Sequence, residues 1–231
     1  MEKISKERVG KELQPALEHR NHLIYLNYLQ KVDLFPTIFK APASLSGPKD
    51  YSHENLQAYF GQSGELWAQA RELALKLSPK LTERTENDKE RRLLISLTAL
   101  LHGFNRIKKF KEVKKMTLVE YQIRENLKLS KDLAKKIDTI CDGVYSLLEL
   151  GEKGELGAVS VGMWCRGLKD LWPYSVFILG LIEDGKYAEY QDEALGVIEE
   201  HELSGFWKIR PILNVSFFTF FYHFLTILIG K

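Results

Sequence analysis

The stretch Lys131-Asp-Leu-Ala-Lys-Lys-Ile-Asp-Thr-Ile-Cys-Asp-Gly-Val-Tyr-Ser-Leu-Leu148 decides the fold class. Its apolar residues Leu133, Ile137, Ile140, Val144, Leu147 and Leu148 recur at intervals of three and four. That spacing places them on one face of a 3.6-residue helix, and charged residues fill the other face. An apolar stripe of this kind requires a partner surface. Two other stretches supply stripes with the same spacing: Leu93, Leu94, Leu97, Leu100, Leu101 and Phe104, and Leu66, Ala70, Leu73, Ala74 and Leu77. No useful length of sequence alternates apolar and polar residues as a half-buried strand does. The pattern predicts an all-α chain of about eight to ten helices, without a repeat of fixed period.

Helix starts and stops agree. Thr117-Leu-Val-Glu120 is a capping-box pattern, and Thr85-Glu-Asn-Asp88 is a looser acidic version. Breaks are expected at Pro36, from Ala41-Pro42 through Gly47-Pro48, at Ser78-Pro79, around Gly151 to Gly157, and at Pro211.

Bulk composition bounds the function classes. The chain has 231 residues, 45% of them hydrophobic, enough for one sizeable core or two small ones. Charged residues make up 28%, yet the net charge is only +2, so neither a disordered chain nor a uniformly basic nucleic-acid binder follows. The basic run from Arg106 to Lys115 and the acidic run from Glu183 to Glu202 read first as solvated helix faces. Two cysteines, Cys141 and Cys165, fit a reducing compartment and exclude a disulfide scaffold. The polar start, Met1 to Ser5, is not a secretory signal. Ile212 to Gly230 carries no Asp, Glu, Lys or Arg. As a helix of about 19 residues it would span roughly 28 Å, close to a bilayer core.

Catalytic constellations are nearly absent. His19 and His22 stand three apart, without a third or fourth ligand at metal-site spacing, and we read both as surface or boundary histidines. The sequence holds no GxSxG, P-loop or GxGxxG. It also has no Asp-x-Asp pair to hold two magnesium ions and no Gly-Ser dipeptide. Asp88 and Glu90 read as capping and surface charges. No metal site is expected within this chain.

The N-terminal residues carry a more specific signal. Lys3-Ile-Ser-Lys-Glu-Arg-Val-Gly-Lys-Glu-Leu13 has Ser5 placed to cap a helix, Glu7 near its positive end, and Arg8 and Glu12 spaced to pair. The same segment resembles an element found in the neck of class II CCA-adding enzymes (tRNA nucleotidyltransferases) and their poly(A) polymerase relatives. Further similarities follow in order: Tyr28 to Phe39, Arg92 to Leu101, Ile123-Arg-Glu-Asn-Leu-Lys-Leu-Ser130 as a body helix, Arg166 to Pro173, and Trp207 to Asn214. Each is weak alone, but the order and spacing hold from residue 3 to 214.

The resemblance implies three regions: neck-like helices over 1–40 without the nucleotide-templating motif, a helical body over 41–205, and the start of a tail over 206–231. It implies that Ser5, Glu7, Arg8 and Glu12 support a nucleotide pocket from below. It also implies an RNA grip by Lys108, Lys109, Lys111, Lys114, Lys115, Lys208 and Arg210. The partner would be tRNA, held by shape and backbone contacts. The family's catalytic head, which uses Mg with CTP and ATP, has no counterpart here. The chain is therefore expected to be inactive alone, with a separately encoded head as a possible second partner. Cytoplasm, nucleus or mitochondrion would be its compartment by family habit. From Val215 the resemblance stops, and we expect an aberrant apolar C-terminus. The alternative is a tail-anchored helical scaffold with its membrane segment near 212–230.

Overall fold

The computed structural model of the chain describes residues 5–39, 88–104 and 116–208, and all regular structure among them is helical. Helix α1 spans Lys6–Glu18, α2 His22–Lys31 and the short α3 Phe35–Ile38. Helix α4 covers Asp88–Leu101 and runs into a 3-10 turn, His102–Phe104. The one-turn α5, Leu118–Tyr121, continues as a π-helical turn over Gln122–Asn126. Then come α6 (Lys131–Glu152), α7 (Ala158–Leu168), α8 (Trp172–Leu179) and α9 (Ala188–Glu200), with 3-10 turns at Lys169–Leu171, Ile182–Gly185 and Leu203–Lys208.

Helix α6 is the axis of the fold. Ser130 caps its start by accepting from the Leu133 N–H at 3.2 Å. All six residues of its apolar stripe are buried, as are those of the α4 stripe. The side chains of α6 pack against α4, α7 and α8, and α1 and α2 lie against α4. Among the described residues one buried cluster takes in side chains from Leu13 to Leu203. The third sequence stripe, Leu66 to Leu77, lies outside the described residues.

Gly143 permits a close approach between α6 and its neighbours α7 and α8. A methyl group there would stand 2.5 Å from Ser175 Oγ and 2.8 Å from the Leu168 side chain. The backbone so exposed is used: Trp164 Nε1 donates to Gly143 O at 2.9 Å, and Ser175 Oγ donates to Ile140 O at 2.8 Å. Buried polar groups of α7 and α8 thereby find partners on α6.

Several local expectations need correction. Pro36 does not break a helix but occupies the first turn of α3, where its missing N–H has no intrahelical acceptor to lose. The segment Ile123 to Ser130 is not one helix. Its π turn ends at Asn126, Lys128 takes a left-handed φ of 53°, and Ser130 starts the next helix. His22 is no surface histidine, with only 3% of its surface exposed. The acidic run does behave as a solvated face, since Glu189, Asp192, Glu193, Glu199 and Glu200 of α9 are exposed. Among the described residues no helix is long and apolar enough to cross a membrane, and the 212–230 segment lies outside them.

Candidate functional site

Two helix starts meet at one cleft. Ser5 caps α1 by accepting from the Arg8 N–H at 3.3 Å, and Ser130 caps α6. Both serines line an open cleft of about 640 Å³, with Lys6, Glu7, Lys11, Gln14, Lys128 and Leu129. The cleft exists because α1 crosses the turn after the π-helical residues at very short range. A Cβ on Gly10 would stand 1.7 Å from Leu127 O, so only glycine fits the crossing.

Three ammonium groups face the cleft, and each has an acceptor. Lys6 Nζ donates to Asn126 Oδ1 at 2.8 Å. Asn126 is buried and its amide donates to Gln122 Oε1 at 2.6 Å. Lys11 pairs with Glu7 at 2.8 Å, and Lys128 with Glu125 at 2.7 Å. The Lys11 hydrogen bond and charge hold the Glu7 carboxyl below its usual range, and Glu7 in turn raises Lys11. Glu125 is lowered first by its hydrogen bond from Lys128. Exposed pairs of this kind are worth little, so an incoming phosphate can displace them readily. Helix N-termini add a favourable field for negative charge.

The two serines of the cleft are engaged as helix caps, and no His, Cys or Asp lines it. Elsewhere, burial pushes the Cys165 thiol up to about 12 and the fully buried Cys141 well above its ordinary value. Neither cysteine is a thiolate near neutrality. Among the described residues no group of three or more His, Cys, Asp or Glu side chains is placed to hold a metal ion. His19 ends α1 and His22 begins α2, so the two do not share a helix face.

The residues expected from sequence divide as follows. Ser5 and Glu7 line the cleft. Arg8 and Glu12 are exposed on α1, away from the cleft lining, and the ion pair on this helix joins Glu7 to Lys11 instead of Arg8 to Glu12. Lys208 is exposed at the end of the last 3-10 turn. Lys108, Lys109, Lys111, Lys114, Lys115 and Arg210 lie outside the described residues. Lys6, Lys11 and Lys128 were missed by sequence reading. The available signal was a lysine within two positions of each serine cap, Ser5-Lys6 and Lys128-Leu-Ser130.

No protein-family model matches the chain, and no curated protein or solved structure is found to be similar to it.

Proposed function

We propose that this chain is an RNA-holding helical module, corresponding to the body of a CCA-adding tRNA nucleotidyltransferase, and that it serves tRNA 3′-end processing without catalysing it alone. One observation carries this reading. The described part of the first resembling segment, residues 5–13, and the segment 123–130 adjoin the same cleft and are joined by the Lys6–Asn126 hydrogen bond. Lysines on both walls and two helix N-termini suit the cleft to backbone phosphates. In this reading the magnesium ions, CTP and ATP belong to the family's catalytic head and not to the helical body.

The test is a titration of tRNA into the full chain at about 50 and about 200 mM salt. Three phosphate contacts predict an affinity that falls roughly tenfold or more over that range. Changing Lys6, Lys11 and Lys128 together to Gln should reduce the salt slope. Undetectable binding, or binding indifferent to salt, overturns the reading.

A further inference from the structure

The outward face of α2 is a large apolar surface that no packing among the described residues absorbs. Ile24, Tyr25, Tyr28 and Val32 fall on one stripe, and they are 52%, 40%, 61% and 60% exposed. The opposite side of the same helix buries His22 and Leu26. Lone exposed apolar residues need no explanation, but four on adjacent turns mark an interaction surface. Two of the four are tyrosines: Tyr28 is the more exposed, and the partly exposed Tyr25 ring has the His19 ring in T-shaped contact at 5.9 Å. Cations flank them. Arg20 precedes the helix, and Lys31 shares the stripe three residues after Tyr28; both are exposed. Helix α2 contains no Asp or Glu, and the nearest carboxylates along the chain, Glu18 and Asp33, lie outside it. Neither Arg20 nor Lys31 forms an ion pair among the described residues, whereas the cleft lysines Lys11 and Lys128 do.

Exposed rings between uncompensated cations suit a polyanion that carries flat apolar groups. We infer that α2 is a stacking platform for single-stranded RNA, with bases on Tyr25 and Tyr28 and backbone phosphates on Arg20 and Lys31. The ten residues of α2 extend about 15 Å. At 3.4 Å per stacked nucleotide that accommodates about four nucleotides. Stacking on aromatic rings tolerates any base, so the platform has little sequence preference. The inference rests on the RNA-holding reading above and adds a second, single-strand-specific contact to it.

The experiment titrates two labelled RNAs, a mixed-sequence single-stranded octamer and a blunt-ended hairpin, into the full chain and reads fluorescence anisotropy. A double variant, Tyr25→Leu with Tyr28→Leu, keeps the face apolar and removes the rings. The expected result is octamer binding that weakens by about tenfold or more in the variant, with hairpin affinity and thermal melting unchanged. Equal octamer affinity in both proteins overturns the inference. Hairpin binding without octamer binding overturns it and leaves the RNA-holding reading standing, whereas no binding of either RNA removes both. A dimer in sedimentation that persists in the Leu variant and dissociates with Ile24→Asp and Val32→Asp would make the face a protein-docking surface, and that too overturns it.

Discussion

Lys6 Nζ donates to Asn126 Oδ1 at 2.8 Å, across 120 positions of chain. This bond ties the first helix, whose Lys6 lines the cleft, to the π turn that precedes the central one. Through its amide, Asn126 also bonds Gln122 at 2.6 Å, so a buried polar chain extends from the cleft toward the core. A buried network of this kind fixes geometry because breaking one member affects the next.

Replacing Asn126 with Leu removes both of these bonds. The expected loss is about 1–3 kcal/mol of stability, the usual cost of disturbing buried hydrogen-bonding groups. Lys6→Met should cost less, because its ammonium retains access to water. Urea unfolding of the two single variants and the double variant measures the coupling. A coupling of about 0.5–1.5 kcal/mol is expected, and additive effects would show that the Lys6–Asn126 bond does not hold α1 in place.

Two glycine substitutions should act in opposite directions. Gly10→Ala would set a methyl group 1.7 Å from Leu127 O, a backbone atom that cannot rotate away. Moving the crossing should cost more than about 2 kcal/mol and distort the cleft. Gly196 in α9 is exposed and has nothing within 4 Å of a new Cβ. Gly196→Ala should stabilise by about 0.5–1 kcal/mol through helix propensity and a less flexible unfolded chain. Chemical denaturation midpoints of the two variants check both signs.

Local periodicity carried the fold, and distant convergence did not. The stripes of α4 and α6 were legible because one helix face must be apolar wherever it is buried. The Ser5 cap and the Thr117–Glu120 box were legible because capping depends on residues three apart. The cleft was not legible, since it joins Ser5 and Lys6 to Lys128 and Ser130, and no periodic rule connects positions so distant. The π turn at Gln122–Asn126 and the left-handed Lys128 fall inside Ile123 to Ser130, which reads as one helix in sequence. His22 was misjudged because α2 packs against α1 and α4, and no local rule shows which face of a short helix meets such distant elements. The α2 platform was overlooked for the opposite reason. Its apolar residues look like core until Leu26 is seen to point inward and Tyr28 outward.

Thr117 holds two structures together. Its hydroxyl accepts from the Glu120 N–H at 3.1 Å, completing the capping box, and donates to Asp138 of α6 at 2.6 Å. Thr117→Ala should cost about 1–2 kcal/mol, and Thr117→Ser should recover most of it because the hydroxyl remains. The comparison is made by urea midpoint. Equal losses for Ala and Ser would assign the effect to the methyl group and remove the cap from the account.

The stability of the α1–α2 corner should depend on His22. No hydrogen bond of ordinary geometry reaches either ring nitrogen, and both are buried. Burial, followed by the nearby Arg92 cation, lowers the His22 pKa from its ordinary value of 6.5. Arg92 also donates to Glu18 O at 2.7 Å, so a charge on His22 would press on the group that closes the end of α1. The direction follows from proton counting. Below pH 6.5 the unfolded chain takes up a proton at this residue while the folded chain resists, so the unfolded state gains. Stability is therefore complete above 6.5 and declines as pH falls from there to the lowered folded value. His22→Leu abolishes that term and keeps the site apolar. Thermal melting at pH 7.5 and 5.5 should show a smaller decline in the variant than in the parent chain. An equal decline in both would place the acid sensitivity elsewhere and make His22 a neutral filler of the corner.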